Sequence, residues 1–208
     1  PGRSSTTVTY APIRGWAAGV ILNQRLEKGA MTLALVHGRG VLEGFTLYGD
    51  TAITDEKAHQ ARAVRNRVVV NTTYNFNPKF SLLALFGQDV ADSGEVEGQS
   101  LWRSFGLRPV IFQSDRFQWV GEIGISGIRI DKEKNGDGTA LGERSLFRAT
   151  FGPQLGLKPD VWARPVMRFL VSRTWWNRQN EAKISAIAPH IATELASTSV
   201  VYQAEVWF

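Results

Sequence analysis

The sequence contains no cysteine, which suits an oxidising compartment but is also common elsewhere, so this absence alone decides little. It also lacks any apolar run near the roughly 18 residues that a transmembrane helix needs, which excludes membrane insertion as helices. Insertion as a β-barrel is not excluded, because barrel strands place half of their residues in a polar lumen and dilute the apolar signal.

Histidine is scarce, since His37, His59 and His190 are the only ones in the chain. Their surroundings have neither the ligand spacing of a metal site nor a base–nucleophile arrangement. We therefore expect no metal, no cofactor and no enzymatic activity, and a barrel lipase or protease is the weaker alternative. The run Asn135-Gly136-Asp137-Gly138 lacks the remaining ligands of a calcium loop and is predicted to be a turn.

The net charge of +5 would suit a nucleic-acid partner, and arginine outnumbers lysine by 17 to 7. However, the arginines are spread through apolar alternating segments and do not cluster in a tail or on one helix face. No known nucleic-acid-binding module accompanies them, so nucleic acid is not an expected partner.

Nine segments show the period-2 alternation of strands, whereas only 181–196 has weak helical periodicity. Glycine and aromatic residues are plentiful, which also favours β structure. The predicted strands are 14–24, 30–38, 64–76, 80–89, 100–112, 116–131, 145–156, 161–177 and 199–208.

The connections between these strands alternate in length. The short ones, rich in the Gly, Pro, Asn and Asp of tight turns, are 25–29, 77–79, 113–115 and 157–160. The long ones are 39–63, 90–99, 132–144 and 178–198. This layout predicts an all-β fold, an antiparallel transmembrane β-barrel with short turns at one rim and long loops at the other.

Each strand divides into an apolar and a polar face. We expect Phe147, Phe151, Met167 and Phe169 to face outward, toward outer-membrane lipid, and the polar face to line a lumen. Two features favour this orientation over a soluble β-barrel binder: the strands are about ten residues or longer, and aromatics lie near strand ends on the apolar face. Those aromatics are Trp16, Trp119, Trp175 and Tyr202.

Two tryptophans, Trp176 and Trp207, fall on the polar face, where burial in lipid cannot explain them. Their rings could stack on a pyranose ring, or they could pack against a loop folded into the lumen. Charged residues on the same face could bind sugar hydroxyls and set ion selectivity, or could pair across strands and solvate the interior. These predicted lining residues are Arg108, Glu122, Arg148, Arg164, Arg168 and Glu205.

Three segments resemble the maltoporins, a family of sugar-specific outer-membrane porins, in order and in spacing. Ser100–Pro109, with its Trp followed by Gly-Leu-Arg-Pro, resembles a family strand ending in Gly-Ile-Arg-Pro. Val161–Phe169 resembles the family segment Trp-Ser-Arg-Pro-x-x-Arg, and Gln203–Phe208 resembles its Gln-x-Glu-x-Trp-aromatic ending.

The resemblance implies an 18-stranded barrel that assembles as a homotrimer in the bacterial outer membrane. It implies passive diffusion of maltose or maltodextrin-like sugars along a lumenal slide of aromatics, in which Trp176 and Trp207 would be two members. Nine strands are half of 18, so residues 1–208 are expected to be the single-domain C-terminal half of such a barrel and a fragment of a longer chain. A general porin, or one specific for another solute, is the alternative.

Overall fold

The computed structural model describes residues 14–40, 61–92, 94 and 98–206, and β-strands dominate this part of the chain. Within it, no helix combines the length and the apolar character needed to cross a membrane. The strands are β1 (Gly15–Leu26), β2 (Gly29–Gly40), β3 (Val64–Asn77), β4 (Phe80–Asp92), β5 (Gln99–Phe112), β6 (Phe117–Ile130), β7 (Arg144–Gly156), β8 (Val166–Trp176) and β9 (Ala196–Glu205).

The nine strands form one antiparallel sheet in which each strand pairs with its neighbours in the sequence, from β1 to β9 in order. Among these described strands the sheet is open, and β1 and β9 have one neighbour each. The prediction of nine antiparallel strands is therefore confirmed. Most predicted strand ends lie within three residues of those in the structure, because period-2 alternation stops where the turn residues begin.

Short turns bring neighbouring strands close together. Only Glu27 and Lys28 separate β1 from β2, and Gly29 then pairs with Leu26 on one side and with Tyr74 on the other. A Cβ atom on Gly29 would lie 1.9 Å from the carbonyl oxygen of Thr73. Glycine at this position therefore permits a backbone approach that any side chain would block.

Two prolines interrupt the ladders of central strands. The pairing of β5 with β6 passes from Leu107–Ile123 directly to Val110–Val120, around Pro109. The pairing of β7 with β8 similarly omits Pro153 and its neighbour Gly152. Proline has no N–H to donate, so the hydrogen-bond ladder is broken locally while the register continues beyond it.

The segment 157–165 differs from the prediction. The period-2 alternation predicted a strand over 161–177, but β8 begins at Val166, and the connection from β7 occupies 157–165 rather than 157–160. Asp160 makes a turn there, because its carboxylate accepts the Trp162 N–H at 2.8 Å and its carbonyl accepts the Ala163 N–H at 3.0 Å. The predicted long connection 90–99 is shorter than expected, since β4 continues to Asp92.

The connection from β8 to β9 contains the weak helical signal that the sequence showed. It forms two 3₁₀ turns, Arg178–Asn180 and Pro189–Glu194, with a short α-helix at Glu181–Ser185 between them. Asparagine side chains attach it to β7: Asn177 accepts from the Ser145 N–H at 3.1 Å, and Asn180 donates to the Ser145 carbonyl at 2.7 Å.

Burial in the sheet is inverted relative to a water-soluble protein. Many polar side chains are buried, among them Gln118, Thr150, Gln154, Arg168 and Ser172. Large apolar side chains of the same strands are exposed, including Phe147, Phe151, Leu155, Met167, Phe169 and Val171. The enclosed face of the sheet is therefore the polar one.

Candidate functional site

The polar face brings together residues that alternate along neighbouring strands. Arg148 and Arg168 lie on this face, whereas Phe147 and Met167 lie on the opposite, exposed face. Register supports the same division, because Gln154 pairs with Arg168 and Leu155 with Met167. For β7 and β8, the predicted split into two faces therefore agrees with the observed burial.

Three predicted lining residues meet in one cluster, which we call the Glu122 cluster. Arg108 on β5 donates from Nε and Nη2 to Glu122 Oε2 on β6, at 3.1 and 2.7 Å. Arg148 on β7 donates from Nη2 to the other carboxylate oxygen, Oε1, at 2.8 Å. One carboxylate thus links arginines from the two strands on either side of its own.

The other three predicted lining residues form a second group, the Glu205 cluster. Arg168 on β8 donates to Glu205 Oε1 at 2.9 Å, and Arg164 Nε lies 2.5 Å from Glu205 Oε2. Arg164 reaches this carboxylate from the 157–165 segment and not from a strand. Gln203 completes the group by donating to Glu205 at 2.8 Å.

A buried chain of amides connects the Glu205 cluster to the 157–165 segment. Arg168 Nε donates to Gln154 Oε1, and Gln154 donates to Gln118 Oε1 at 2.5 Å. Gln118 is fully buried and donates in turn to the carbonyl of Lys158 at 3.0 Å. Because the amide groups of Gln118 and Gln154 both have partners, this series of hydrogen bonds fixes the position of the segment on the polar face.

An apolar contact holds the same segment. Val161 packs into a small buried cluster with Val110, Phe112 and Val120, which come from β5 and β6. Polar and apolar contacts together therefore place residues 157–165 over the polar face at the end of the sheet where the short turns lie.

Trp176 lies on the polar face, as the alternation predicts, but only 7% of its surface is exposed. It ends β8, and its backbone N–H donates to the Leu195 carbonyl in the connection to β9. Trp207 lies outside the described residues. A sugar contact for either tryptophan therefore stays a prediction.

Trp162 is the exposed aromatic that sequence reasoning did not nominate. This residue is 60% exposed and borders two cavities of about 510 and 640 Å³. The first of these is also lined by Arg108 and Arg148. Asp160 and Pro165, both favoured in turns, were the signals in the sequence that could have separated Trp162 from the following strand.

The Asn135–Thr139 run is a turn, as predicted. The Gly138 N–H donates to the Asn135 carbonyl at 3.0 Å, and the Thr139 hydroxyl and N–H both donate to Asp137 Oδ1, at 2.6 and 2.9 Å. These two hydrogen bonds lower the pKa of Asp137 below its ordinary value. Among the residues that the structure describes, no group of three or more His, Asp or Glu side chains could hold a metal ion.

The exposed face carries aromatic pairs near the strand ends. Trp119 stacks on Phe151 with 5.2 Å between ring centroids, close to the short turns. Phe147 contacts Trp175 at 5.4 Å, close to the long connections. Arg173 also lies 5.9 Å from the centroid of the Trp175 ring. Aromatic rings at both ends of an apolar band are typical of proteins that span a bilayer with strands.

Strands of 10 to 14 residues are long enough to cross a bilayer when they are tilted. With an enclosed polar face and an exposed apolar face, they define the wall of an outer-membrane β-barrel porin. A family model described as LamB porin matches residues 2–208, so the chain belongs to the LamB porin family. This is a family of transport channels, not of enzymes. Comparison with individual curated proteins gave no match.

Proposed function

We propose that this chain forms part of the wall of a sugar-specific outer-membrane porin, through which maltose or maltodextrin-like oligosaccharides diffuse passively. The observation that carries the proposal is the position of Trp162, an exposed ring beside the Glu122 cluster on the polar face. A flat ring can stack on the apolar face of a pyranose, while neighbouring guanidinium groups donate hydrogen bonds to its hydroxyls.

Among the described strands, β1 and β9 each pair with one neighbour only, which supports a larger barrel. Backbone groups on an open edge would have no hydrogen-bond partner within the lipid, so a sheet in a bilayer must be closed by further strands. Half of an 18-stranded barrel, at its C-terminal end, accounts for nine strands in sequential order.

Location and assembly follow from the same proposal. An apolar outer face with aromatic girdles suits the bacterial outer membrane, with lipid as its neighbour. Assembly as a homotrimer would cover part of this face and remains the assembly we propose. The channel works by binding and release, without chemistry and without a cofactor.

Three tryptophans are proposed to contact sugar: Trp162, from its exposure, and Trp176 and Trp207, from their predicted face. For Trp162→Ala in the assembled pore, we expect the affinity for a linear maltodextrin to fall by about 1 kcal/mol, or roughly fivefold, because one stacking contact is lost. Sugar-induced block of single-channel current in planar bilayers measures this affinity.

The matched control is Trp119→Ala, which removes the same side chain from the apolar face, where it stacks on Phe151. Its sugar affinity should equal that of the unaltered pore. An unchanged block constant in Trp162→Ala would contradict the stacking role. A general porin, the alternative function, would show no block by maltodextrins and equal permeation of other solutes of the same size in liposome swelling.

A further inference from the structure

Three clusters of charged side chains on the polar face each bring two arginines to one carboxylate. The Glu122 and Glu205 clusters each join two arginines to a single glutamate. In a third cluster, on β3 and β4, Asp89 lies 2.5 Å from Arg67 and 3.4 Å from Arg65. The Glu122 and Glu205 clusters therefore each contain one more cation than anion.

Two cations also approach one carboxylate at the end of the sheet where the long connections lie. Glu133 pairs with Arg144 of β7, and Lys183 approaches the same carboxylate at 4.0 Å. The Glu122 and Glu205 clusters thus place an excess of cations on the polar face between β5 and β9. A lumen wall with such an excess attracts anions and repels cations, because the low-dielectric wall focuses the field into the pore.

The Glu122 cluster is the most accessible of these groups. The side chains of Arg108 and Arg148 are 42% and 53% exposed, whereas that of Arg168 in the Glu205 cluster is 6% exposed. The buried arginines hold the 157–165 segment, as described above. Arg108 and Arg148 link β5, β6 and β7 through Glu122, and much of each side chain remains accessible.

Hydrogen bonding within the Glu122 cluster leaves donor capacity on both guanidinium groups. Arg108 gives Nε and Nη2 to Glu122, and Arg148 gives Nη2. Each guanidinium has five N–H donors, so both can donate to a further acceptor. Their planar fork matches the geometry of a carboxylate or phosphate, with which it forms charge-assisted hydrogen bonds.

A cavity of about 510 Å³ adjoins these donors and provides space for a ligand. Its lining includes the two arginines Arg108 and Arg148 with Glu122 between them, the uncharged polar residues Asn71 and Ser126, the exposed rings of Trp162 and Phe105, and several leucines and isoleucines. Its volume lies within the range of sites for small molecules. An aromatic ring beside two arginines is suited to a sugar that carries an oxyanion.

We propose that the Glu122 cluster is a subsite for the oxyanion of an acidic sugar, a carboxylate or a phosphate, within an anion-selective pore. This inference rests on the proposed function, since it assumes that the polar face lines a sugar channel. It extends that function by assigning charged sugars as a substrate class, in addition to neutral oligosaccharides.

A series of charge variants tests the selectivity. Arg148→Gln makes the cluster neutral, and Glu122→Gln raises its net charge by one. The chloride-to-potassium permeability ratio is measured from the zero-current potential of the assembled pore in a KCl gradient. It should exceed one, fall in Arg148→Gln and rise in Glu122→Gln. The control Arg173→Gln removes an arginine from the apolar face and should leave the ratio unchanged.

A preference for potassium in the unaltered pore would overturn the proposal. So would equal changes in Arg148→Gln and Arg173→Gln. The opposite directions expected for the two cluster variants guard against an effect of misfolding, because structural damage would not raise selectivity in one variant and lower it in the other.

Current block by glucuronate and by glucose 6-phosphate, each compared with glucose, tests the ligand. At least one acidic sugar should block at concentrations roughly tenfold below those of glucose, because a hydrogen bond to a charged group is stronger than one to a hydroxyl. Arg148→Gln should remove this preference. If glucuronate and glucose 6-phosphate both block more strongly than glucose, the subsite accepts either oxyanion. If only one of them does, that result shows whether the subsite binds a carboxylate or a phosphate.

Inorganic phosphate alone serves as a probe without a sugar ring. Block by inorganic phosphate as strong as that by glucose 6-phosphate would overturn the sugar subsite, as would equal block by glucose and both acidic sugars. Maltotriose is measured in the same channels. Its block reports on the proposed function independently, so failure of the acidic-sugar subsite and failure of the sugar porin are distinguishable.

Discussion

At the residue scale, the tryptophans of the polar face show what alternation can and cannot predict. Alternation assigned Trp176 to the polar face, and the structure agrees. Alternation does not predict how exposed a side chain on that face is, because its burial depends on the segments that pack over the sheet. Trp176 is covered at the end of β8, whereas Trp162 is exposed on a turn in the preceding connection.

The variant Trp176→Ala distinguishes packing from sugar contact. Because the ring is buried, we expect its loss to lower the free energy of unfolding by about 3 kcal/mol, as for other buried aromatics. Sugar affinity should fall less than in Trp162→Ala. Urea titration in lipid vesicles and current block measure the two quantities. A large loss of affinity with unchanged stability would show instead that the contact with sugar, and not packing, is the main role of Trp176.

For the Glu122 cluster, the sequence predicted which residues share a face but not which of them form ion pairs. Period-2 alternation identified Arg108, Glu122 and Arg148 as residues of one face. Their pairing depends on register, which places Glu122 within reach of both neighbouring strands. Register is set by turn geometry and by long-range contacts that a single sequence does not display.

At the element scale, the segment 157–165 shows why one strand boundary was wrong. Trp162, Arg164 and Val166 continue the alternation of β8 backward, so the pattern alone cannot locate the end of the strand. The turn depends on the Asp160 carboxylate accepting a backbone N–H, and the placement of the segment depends on Gln118. The remaining boundaries were predictable because their turn residues interrupt the alternation.

The backbones of β7 and β8 approach each other closely at Gly152, so a larger residue there should destabilise the barrel. A Cβ atom on Gly152 would lie 2.0 Å from the Phe169 carbonyl oxygen of β8. Gly152→Ala must therefore separate the two backbones, and we expect a loss of about 1–3 kcal/mol in the free energy of unfolding. Urea titration of the folded barrel in vesicles measures the change.

Gly106→Ala on β5 is the matched control for this substitution. Its added Cβ would lie 3.7 Å from the nearest atom, the Ile123 carbonyl oxygen, which is ordinary van der Waals contact. Stability should be unchanged or slightly higher, because alanine restricts the unfolded chain. Equal losses in the two variants would refute the steric explanation.

At the scale of the whole molecule, the two faces of the sheet have different solvents. The apolar residues Met167, Phe169 and Val171 are exposed because lipid is expected to cover them, and Arg168 and Ser172 are enclosed on the other side. The sequence predicted this arrangement from strand length and from aromatic positions near strand ends. Neither feature requires knowledge of tertiary contacts, which explains why fold class and orientation were predictable.

Adjacent residues at the centre of β8 test the assignment of faces. Val171→Lys places a charge at the middle of the lipid-facing side and should cost about 2–4 kcal/mol. Leu170→Lys places the same charge on the polar face, where water can solvate it, and should cost less. The fraction of folded barrel across a urea series in vesicles measures both. A larger cost for Leu170→Lys would reverse the faces.

Sequential pairing of the strands has a consequence for how pores of this kind can change in width. Each strand pairs only with the strands before and after it in the sequence. Duplication of two consecutive strands, such as β4 and β5, would therefore leave the pairing of all other neighbouring strands unchanged. Strands must be gained or lost in pairs to keep all neighbours antiparallel. Because barrel diameter grows with strand number, a gene can alter pore width only in discrete steps of one hairpin.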